Sequence, residues 1–167
     1  MSPFTNGAGL GIEVDMQGLS ASVAMLREIA ERGLDMRPAL EEVKEVLVEG
    51  NKRQFSSHGS YLGEPWPPLS PETQARKARE GVPSLMDILV SGGDLQASIA
   101  GGKGRVARVT RSSVRVGTKL FKGRFAQSGA SGGRRGAEPK RSIIGIGEAE
   151  HTASERILVS YLTGRGR

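Results

Sequence analysis

The chain has 167 residues, with 24 Lys or Arg against 18 Asp or Glu and a formal net charge of +6. It has no cysteine and two histidines, His58 and His151, which excludes disulfide scaffolds and thiolate metal sites and leaves no HxxxH or HxH zinc spacing. The length suits one domain with a real core, and no stretch approaches the apolar length that crosses a bilayer.

Residues 1–9 read as a polar, glycine-containing tail. From Gly11 to Met16 the pattern alternates, Ile12, Val14 and Met16 against Glu13 and Asp15, which predicts a short strand. The period then becomes helical. Leu19, Val23, Leu26, Ile29 and Ala30 form one apolar stripe, with Gly33 as the stop. A second helix is expected over about 36–55, with Met36, Leu40, Val43, Leu47 and the Gln54/Phe55 turn on its apolar side. Glu41, Glu42, Glu45 and Glu49 occupy its other side; without histidine partners they read as a solvated face, or as an interface with a basic neighbour.

His58 falls in a loop with no base-orienting partner nearby, and Ser56, Ser57 and Ser60 lack a G-x-S-x-G elbow. The stretch Gly63-Glu64-Pro65-Trp66-Pro67-Pro68-Leu69-Ser70-Pro71-Glu72-Thr73 sets the only tryptophan among four prolines. Prolines stiffen the backbone, and the large ring is suited to plug a cleft. Ser70 is expected to cap a helix that starts at Pro71 and runs to Glu80, and Asp94 to cap a short helix bearing Leu95 and Ile99 on one face. The expected structural clip comprises Trp66, Pro68, Leu69, Ser70, Pro71, Thr73, Leu95 and Ile99.

Residues 101–117 read as a basic hairpin, Arg105 to Arg111 running up, Ser112-Ser113 turning, and Val114 and Val116 returning. A short helix or turn follows over 120–127, then a basic glycine-rich arm over 128–141 with no phosphate-loop spacing, expected to be flexible alone and ordered in an assembly. Ile143-Ile144-Gly145-Ile146 is predicted to be a buried strand of the sheet. A last helix is expected over about 148–162 with Ala149, Ala153, Ile157 and Tyr161 inward, before a basic tail over 164–167. Residues 10–163 thus form one expected α+β domain. Its antiparallel sheet of about four strands packs against two long N-terminal helices and a C-terminal helix, with a long flexible basic loop.

Charge is placed unevenly. Residues 1–50 hold nine Asp/Glu and four Lys/Arg, residues 51–100 five of each, and residues 101–167 fifteen Lys/Arg and four Asp/Glu. A chain acidic at one end and basic at the other can stack head to tail on copies of itself. Candidate contacts to such a copy, or to DNA, are Arg105, Arg108, Arg111, Arg115, Lys119, Lys122, Arg124, Arg134, Arg135, Lys140 and Arg141. Arginines on the hairpin also guard a sheet edge against foreign strands. No catalytic constellation is present, so the expectation is a structural protein without cofactor or metal. The N-terminus lacks a basic-then-apolar leader, and a soluble protein, inside the cell or in a particle, is expected.

One stretch carries a family resemblance. Trp66, Pro68, Leu69, Ser70, Pro71 and Thr73, then Lys77 on a basic helix, then Ile88, Leu89, Ser91, Gly92, Leu95, Ser98 and Ile99 follow a pattern similar to the Mu-like phage virion morphogenesis (tail completion) family. Val116-Gly117-Thr118, Phe125-Ala126-Gln127-Ser128-Gly129 and Pro139 to Ile146 extend the likeness over about residues 50–163. Phe125 stands where the family usually has Tyr, no His precedes Gln127, and Ser142-Ile143-Ile144 follows Arg141. The resemblance implies a neck protein of the virion tail, assembled in the host cytoplasm. It would form a ring, commonly a hexamer, that terminates the tail tube and joins it to the head connector or stopper. Non-specific contact with DNA in the channel and no membrane partner are part of that expectation. The competing reading is a basic nucleic-acid-binding protein acting as monomer or dimer.

Overall fold

The computed structural model describes residues 16–82, 88–89, 92–130 and 138–165, and shows an α+β protein. Among them, six α-helices surround one two-stranded antiparallel hairpin: α1 (Met16–Gly33), α2 (Arg37–Ser56), α3 (Pro71–Arg79), α4 (Asp94–Ala100), β1 (Arg105–Val109), β2 (Val114–Thr118), α5 (Phe121–Ser128) and α6 (Glu148–Thr163). α2 is the spine, contacting α4, α6 and both strands, whereas α1 packs on α6. The periodicity that predicted α2 places Leu40, Val43, Leu47, Gln54 and Phe55 in the buried interior.

Among the described residues the expected four-stranded sheet is replaced by a two-stranded one. Most of the predicted first strand, residues 11–15, lies outside the described residues, and Met16 already belongs to α1. The second missing strand, Ile143 to Ile146, joins no ladder. Its backbone groups are met by side chains instead. Gln127 Oε1 accepts the N–H of Ile143 at 2.8 Å and of Ile144 at 3.1 Å, and its Nε2 donates to Ile144 O at 3.0 Å. Asn51 Oδ1 accepts the Gly145 N–H at 3.1 Å, while the Trp66 indole and Gln54 Nε2 both donate to Ser142 O, at 2.9 and 2.8 Å. Buried backbone groups must be paired, and side-chain amides offer the same donor and acceptor as a neighbouring strand.

The core sits where this extended segment meets the helices: Phe55, Trp66, Ile88, Leu95, Ile99, Ala126 and Ile143 form one buried cluster. Phe55 meets Trp66 edge to face with ring centroids 5.1 Å apart, an arrangement favoured by the ring quadrupoles. The ring reaches this place through a tight turn at Gly59, whose φ is +93°; a Cβ there would lie 2.4 Å from Trp66 Cδ1 and 2.5 Å from Glu64 O. His58 O accepts the Trp66 N–H at 2.7 Å and closes the turn.

Two helix details differ from expectation. Gly93, with φ +73°, is the N-cap of α4, and the Asp94 carboxylate turns outward to Lys122 at 2.6 Å. In α6 the inward position belongs to Glu150 rather than Ala149, which is exposed. Glu150 accepts the Tyr61 hydroxyl and, at 3.1 Å, the Gly147 N–H. Its side chain fits because α2 has Gly50 there, where a Cβ would stand 2.7 Å from the Glu150 carboxyl carbon. The hydrogen bond to Glu150 holds the Tyr61 hydroxyl above its ordinary pKa.

The α1–α2 joint is tied to the hairpin tip. The Met36 N–H donates to Arg111 O at 2.9 Å, and Tyr161 of α6 donates to Asp35 O at 2.8 Å. The Arg37 guanidinium, hydrogen-bonded to the Asp35 side chain, holds that carboxyl at about 2 instead of 3.8. A carboxylate depressed in the folded state stabilises above its unfolded pKa and loses that contribution as pH falls through the folded one. Asp35→Asn is therefore expected to be less stable than the parent at neutral pH, with the difference vanishing as pH falls from about 4 to about 2, as read by denaturation across pH. Gln54→Leu leaves the Leu62 N–H without its acceptor and is expected to cost about 1–3 kcal/mol in urea unfolding. Trp66→Phe, which removes one donor to Ser142 O, is expected to cost roughly 1 kcal/mol beyond its lost area.

Candidate interaction surface

The clip residues divide into those facing the core and those facing solvent. Trp66, Leu95 and Ile99 are buried, Leu69 is partly buried against them, and Pro68, Ser70 and Pro71 are exposed. Ser70 is the N-cap of α3: its Oγ accepts the Thr73 N–H at 3.2 Å and donates to Thr73 Oγ1 at 3.0 Å. Arg141, counted above as a surface contact, is instead part of this clip. It is buried, and its Nε and Nη2 donate to Pro67 O at 3.2 and 3.1 Å, with Nη2 also 3.4 Å from Pro68 O. Proline carbonyls in an extended run have no ladder partner, and a guanidinium fork satisfies two at once. Desolvation draws the Arg141 pKa below its ordinary value.

The other cations lie outward. Arg108, Arg111, Arg115, Lys119, Lys122 and Arg124 are exposed, and Arg105 at the base of β1 is half-buried. Residues 101–130 contain eight Lys or Arg and no Asp or Glu, and acids meet this stretch from other segments, Asp94 at Lys122 and Asp35 near Arg111. Among the described residues the ion pair of this group is Lys122 with Asp94, which draws the Asp94 carboxyl below its ordinary pKa. The strand register makes the crowding acute: Arg108 stands directly opposite Arg115. Like charges facing each other across a ladder repel, so the pair fits an anionic neighbour better than water alone. Lys140 is exposed, 3.7 Å from Glu64, and Arg134 and Arg135 lie outside the described residues. The arm that holds them is pinned at its ends, where Ala130 and Glu138 exchange backbone hydrogen bonds of 2.9 and 2.8 Å.

α2 carries both signs, four Glu balanced by Arg37, Lys44, Lys52 and Arg53. Glu41, Glu42, Glu45 and Glu49 are all exposed. Lys44 lies between Glu41 and Glu45, whose hydrogen bonds raise its pKa above the ordinary value, and Glu49 meets Lys52 at 3.3 Å and Arg53 at 3.8 Å. Among the described residues no three His, Asp or Glu side chains come together as a metal site, and no helix is long and apolar enough to cross a membrane.

One surface feature escaped the sequence reading. Phe121 and Phe125 stand edge to face on the outside of α5, centroids 4.8 Å apart, and most of the Phe121 side chain is in water. Their i, i+4 spacing within a basic stretch was the available signal. On the α1 stripe, Leu19, Val23 and Leu26 are exposed and among the described residues nothing covers them.

The family model described as the phage virion morphogenesis family matches residues 18–163. No curated protein and no solved structure matches the chain. Replacing Arg115 by Thr removes the opposed pair and is expected to raise the unfolding free energy by about 0.2–1 kcal/mol in low salt, the gain shrinking as salt rises.

Proposed function

Because the chain belongs to the phage virion morphogenesis family across residues 18–163, we propose that this virion assembly protein acts at the neck, in multiple copies that complete the tail and join it to the head. A ring with unlike faces stops tube growth because its outer face no longer matches an incoming tube subunit. Heterologous contacts that close on themselves build such a ring, and they need two different patches on one chain. The observation that carries this reading is the uneven placement of charge, a stretch over 101–130 with eight Lys or Arg and no Asp or Glu on a chain whose first 50 residues hold nine Asp or Glu against four Lys or Arg. The partners in this reading are further copies of the chain, the tail tube and the head connector.

A second reading rests on Arg108 facing Arg115: the hairpin contacts nucleic acid phosphates, either along the DNA channel or as a separate DNA-binding protein. Phosphate contact is strongly salt-dependent, so retention of duplex DNA that falls steeply between low and moderate salt, and is lost in an Arg108→Ala, Arg115→Ala variant, supports it. Salt-independent or absent retention leaves the hairpin to protein.

The neck reading is tested with particles made without this chain and viewed by electron microscopy. Tails of abnormal length, or full heads that lack tails or leak DNA, are the expected result. Particles of normal tail length that remain joined and infectious contradict it.

A further inference from the structure

We infer that residues 12–15 of one copy pair, as a short added strand, with the outer edge of β1 in a second copy. This rests on the multi-copy reading above and names one contact through which the copies meet.

The outer edge of β1 is open. The Thr110 N–H donates to Ser113 O and the Lys119 N–H to Gly104 O, both at 2.8 Å. This phase turns the backbone groups of the even-numbered residues of β1 toward β2 and those of the odd-numbered ones away. At the hairpin tip the outward carbonyl of Arg111 already accepts a backbone donor, the Met36 N–H at 2.9 Å. Further down the same edge, no hydrogen bond among the described residues reaches the N–H or C=O of Ala107 or Val109. Ala107 is also exposed. A row of unpaired donors and acceptors is a template for another strand.

The edge has two unlike faces, and the incoming segment matches both. Side chains alternate across a strand, and neighbours on adjacent strands share a face. Ala107 and Val109 share one face with Val116 and Val114, while Arg108 and Arg115 stand opposed on the other. Ile12-Glu13-Val14-Asp15 alternates apolar with acidic. With Glu13 beside Arg108, Ile12 and Val14 fall beside Ala107 and Val109, whichever way the added strand runs. The opposed arginines then gain a carboxylate on the open side of the ladder, and two branched side chains extend the valine face. A slip by one residue would set the acids among the valines, so both faces fix the register. A second β1 does not fit this edge, because it would add another arginine beside the opposed pair.

The course of α1 assigns the strand to a neighbour. Every residue of α1 from Gly18 to Glu28 is exposed, and its half-buried residues are Ile29 and Arg32, near the end beside the α1–α2 joint. At 1.5 Å per residue the helix carries Met16 about 20 Å beyond Ile29. Residues 12–15 join that far end without a linker. α1 packs on α6, whereas the hairpin packs on α2 and α4, so the helix holds its leading segment out as an arm. Arm and edge are different surfaces of one chain. Each added copy therefore leaves one of each free, and addition continues until a ring closes.

The chain has no cysteine, so two introduced ones report on a single contact. Residues side by side on neighbouring strands lie about 4.5–5.5 Å apart, within disulfide reach. Full chains carrying Glu13→Cys are mixed with full chains carrying Arg108→Cys, oxidised mildly and run on a non-reducing gel. A covalent heterodimer is expected. It should form about tenfold more slowly when the second chain also carries Ala107→Pro, which removes an outward N–H and no bond to β2. Thr152→Cys, exposed on α6, replaces Arg108→Cys as the control. In light scattering after gel filtration, Glu13→Arg should weaken self-association about tenfold, and Arg108→Glu in the same chain should restore it. A mixture that links no faster than the control overturns the inference. So does a chain carrying both cysteine substitutions that closes on itself while the mixture stays unlinked. A parent that forms multiple copies without this link, or defective particles in the absence of the chain, leaves the neck reading standing.

Discussion

The carbonyl oxygen of Ser142 accepts the Trp66 indole at 2.9 Å and the Gln54 carboxamide at 2.8 Å, and the packing of the whole chain converges on that point. Gln54 belongs to the central helix, Trp66 to the proline-rich loop, and Ser142 to the extended run before α6. Three distant parts of the sequence are thus fixed by one acceptor using both lone pairs, in a place with little access to water. Unmade hydrogen bonds cost most where the surroundings are dry, so the arrangement tolerates little slippage. Gln127 and Asn51 continue the same logic along Ile143 to Gly145, and Arg141 continues it to the Pro67 carbonyl.

This solution explains how a small protein with one hairpin keeps an extended segment inside. A conventional strand would need a neighbour on each side; here amides on α2 and α5 do that work, while β1 and β2 pair with each other as a ribbon and pack on α2 and α4. The ribbon is anchored at its tip through Arg111 O to the start of α2 and near its base by the hydroxyls of Thr118 and Ser98, 2.7 Å apart. Its arginines can therefore be held close together in a fixed register although they repel. The same economy shapes α5, whose inner side is reduced to Gly123 and Ala126 so that it can lie close to Leu95 and Ile143 while its aromatic rings face outward.

The helices were largely legible in the sequence, because Leu40, Val43 and Leu47 recur at helical spacing and Ser70-Pro71 is a strong start signal. The hairpin was legible from its alternating valines and the serine turn. Ile143 to Ile146 was misread as a sheet strand, since an apolar run of β-branched residues states only that the backbone is extended and buried; what pairs with it is decided by residues 16 to 94 positions away. Glu150 was overlooked because its inward position depends on Gly50, a relation between two helices that neither shows alone. The α1 stripe was read correctly as apolar, but periodicity is blind to whether the cover comes from the same chain or another.

Virion assembly adds a reason for such rigidity. In the proposed multi-copy reading a subunit has to hold its contact surfaces at fixed separation, and the Ser142 junction links α2, the proline loop and the run before α6 into one body. Native-state hydrogen exchange of the Trp66 indole N–H and the amides of Ile143, Ile144 and Gly145 tests this most directly. The account predicts that these protons exchange only through global unfolding, as slowly as the slowest amides of α2. Exchange near the intrinsic rate while α2 stays protected would contradict it.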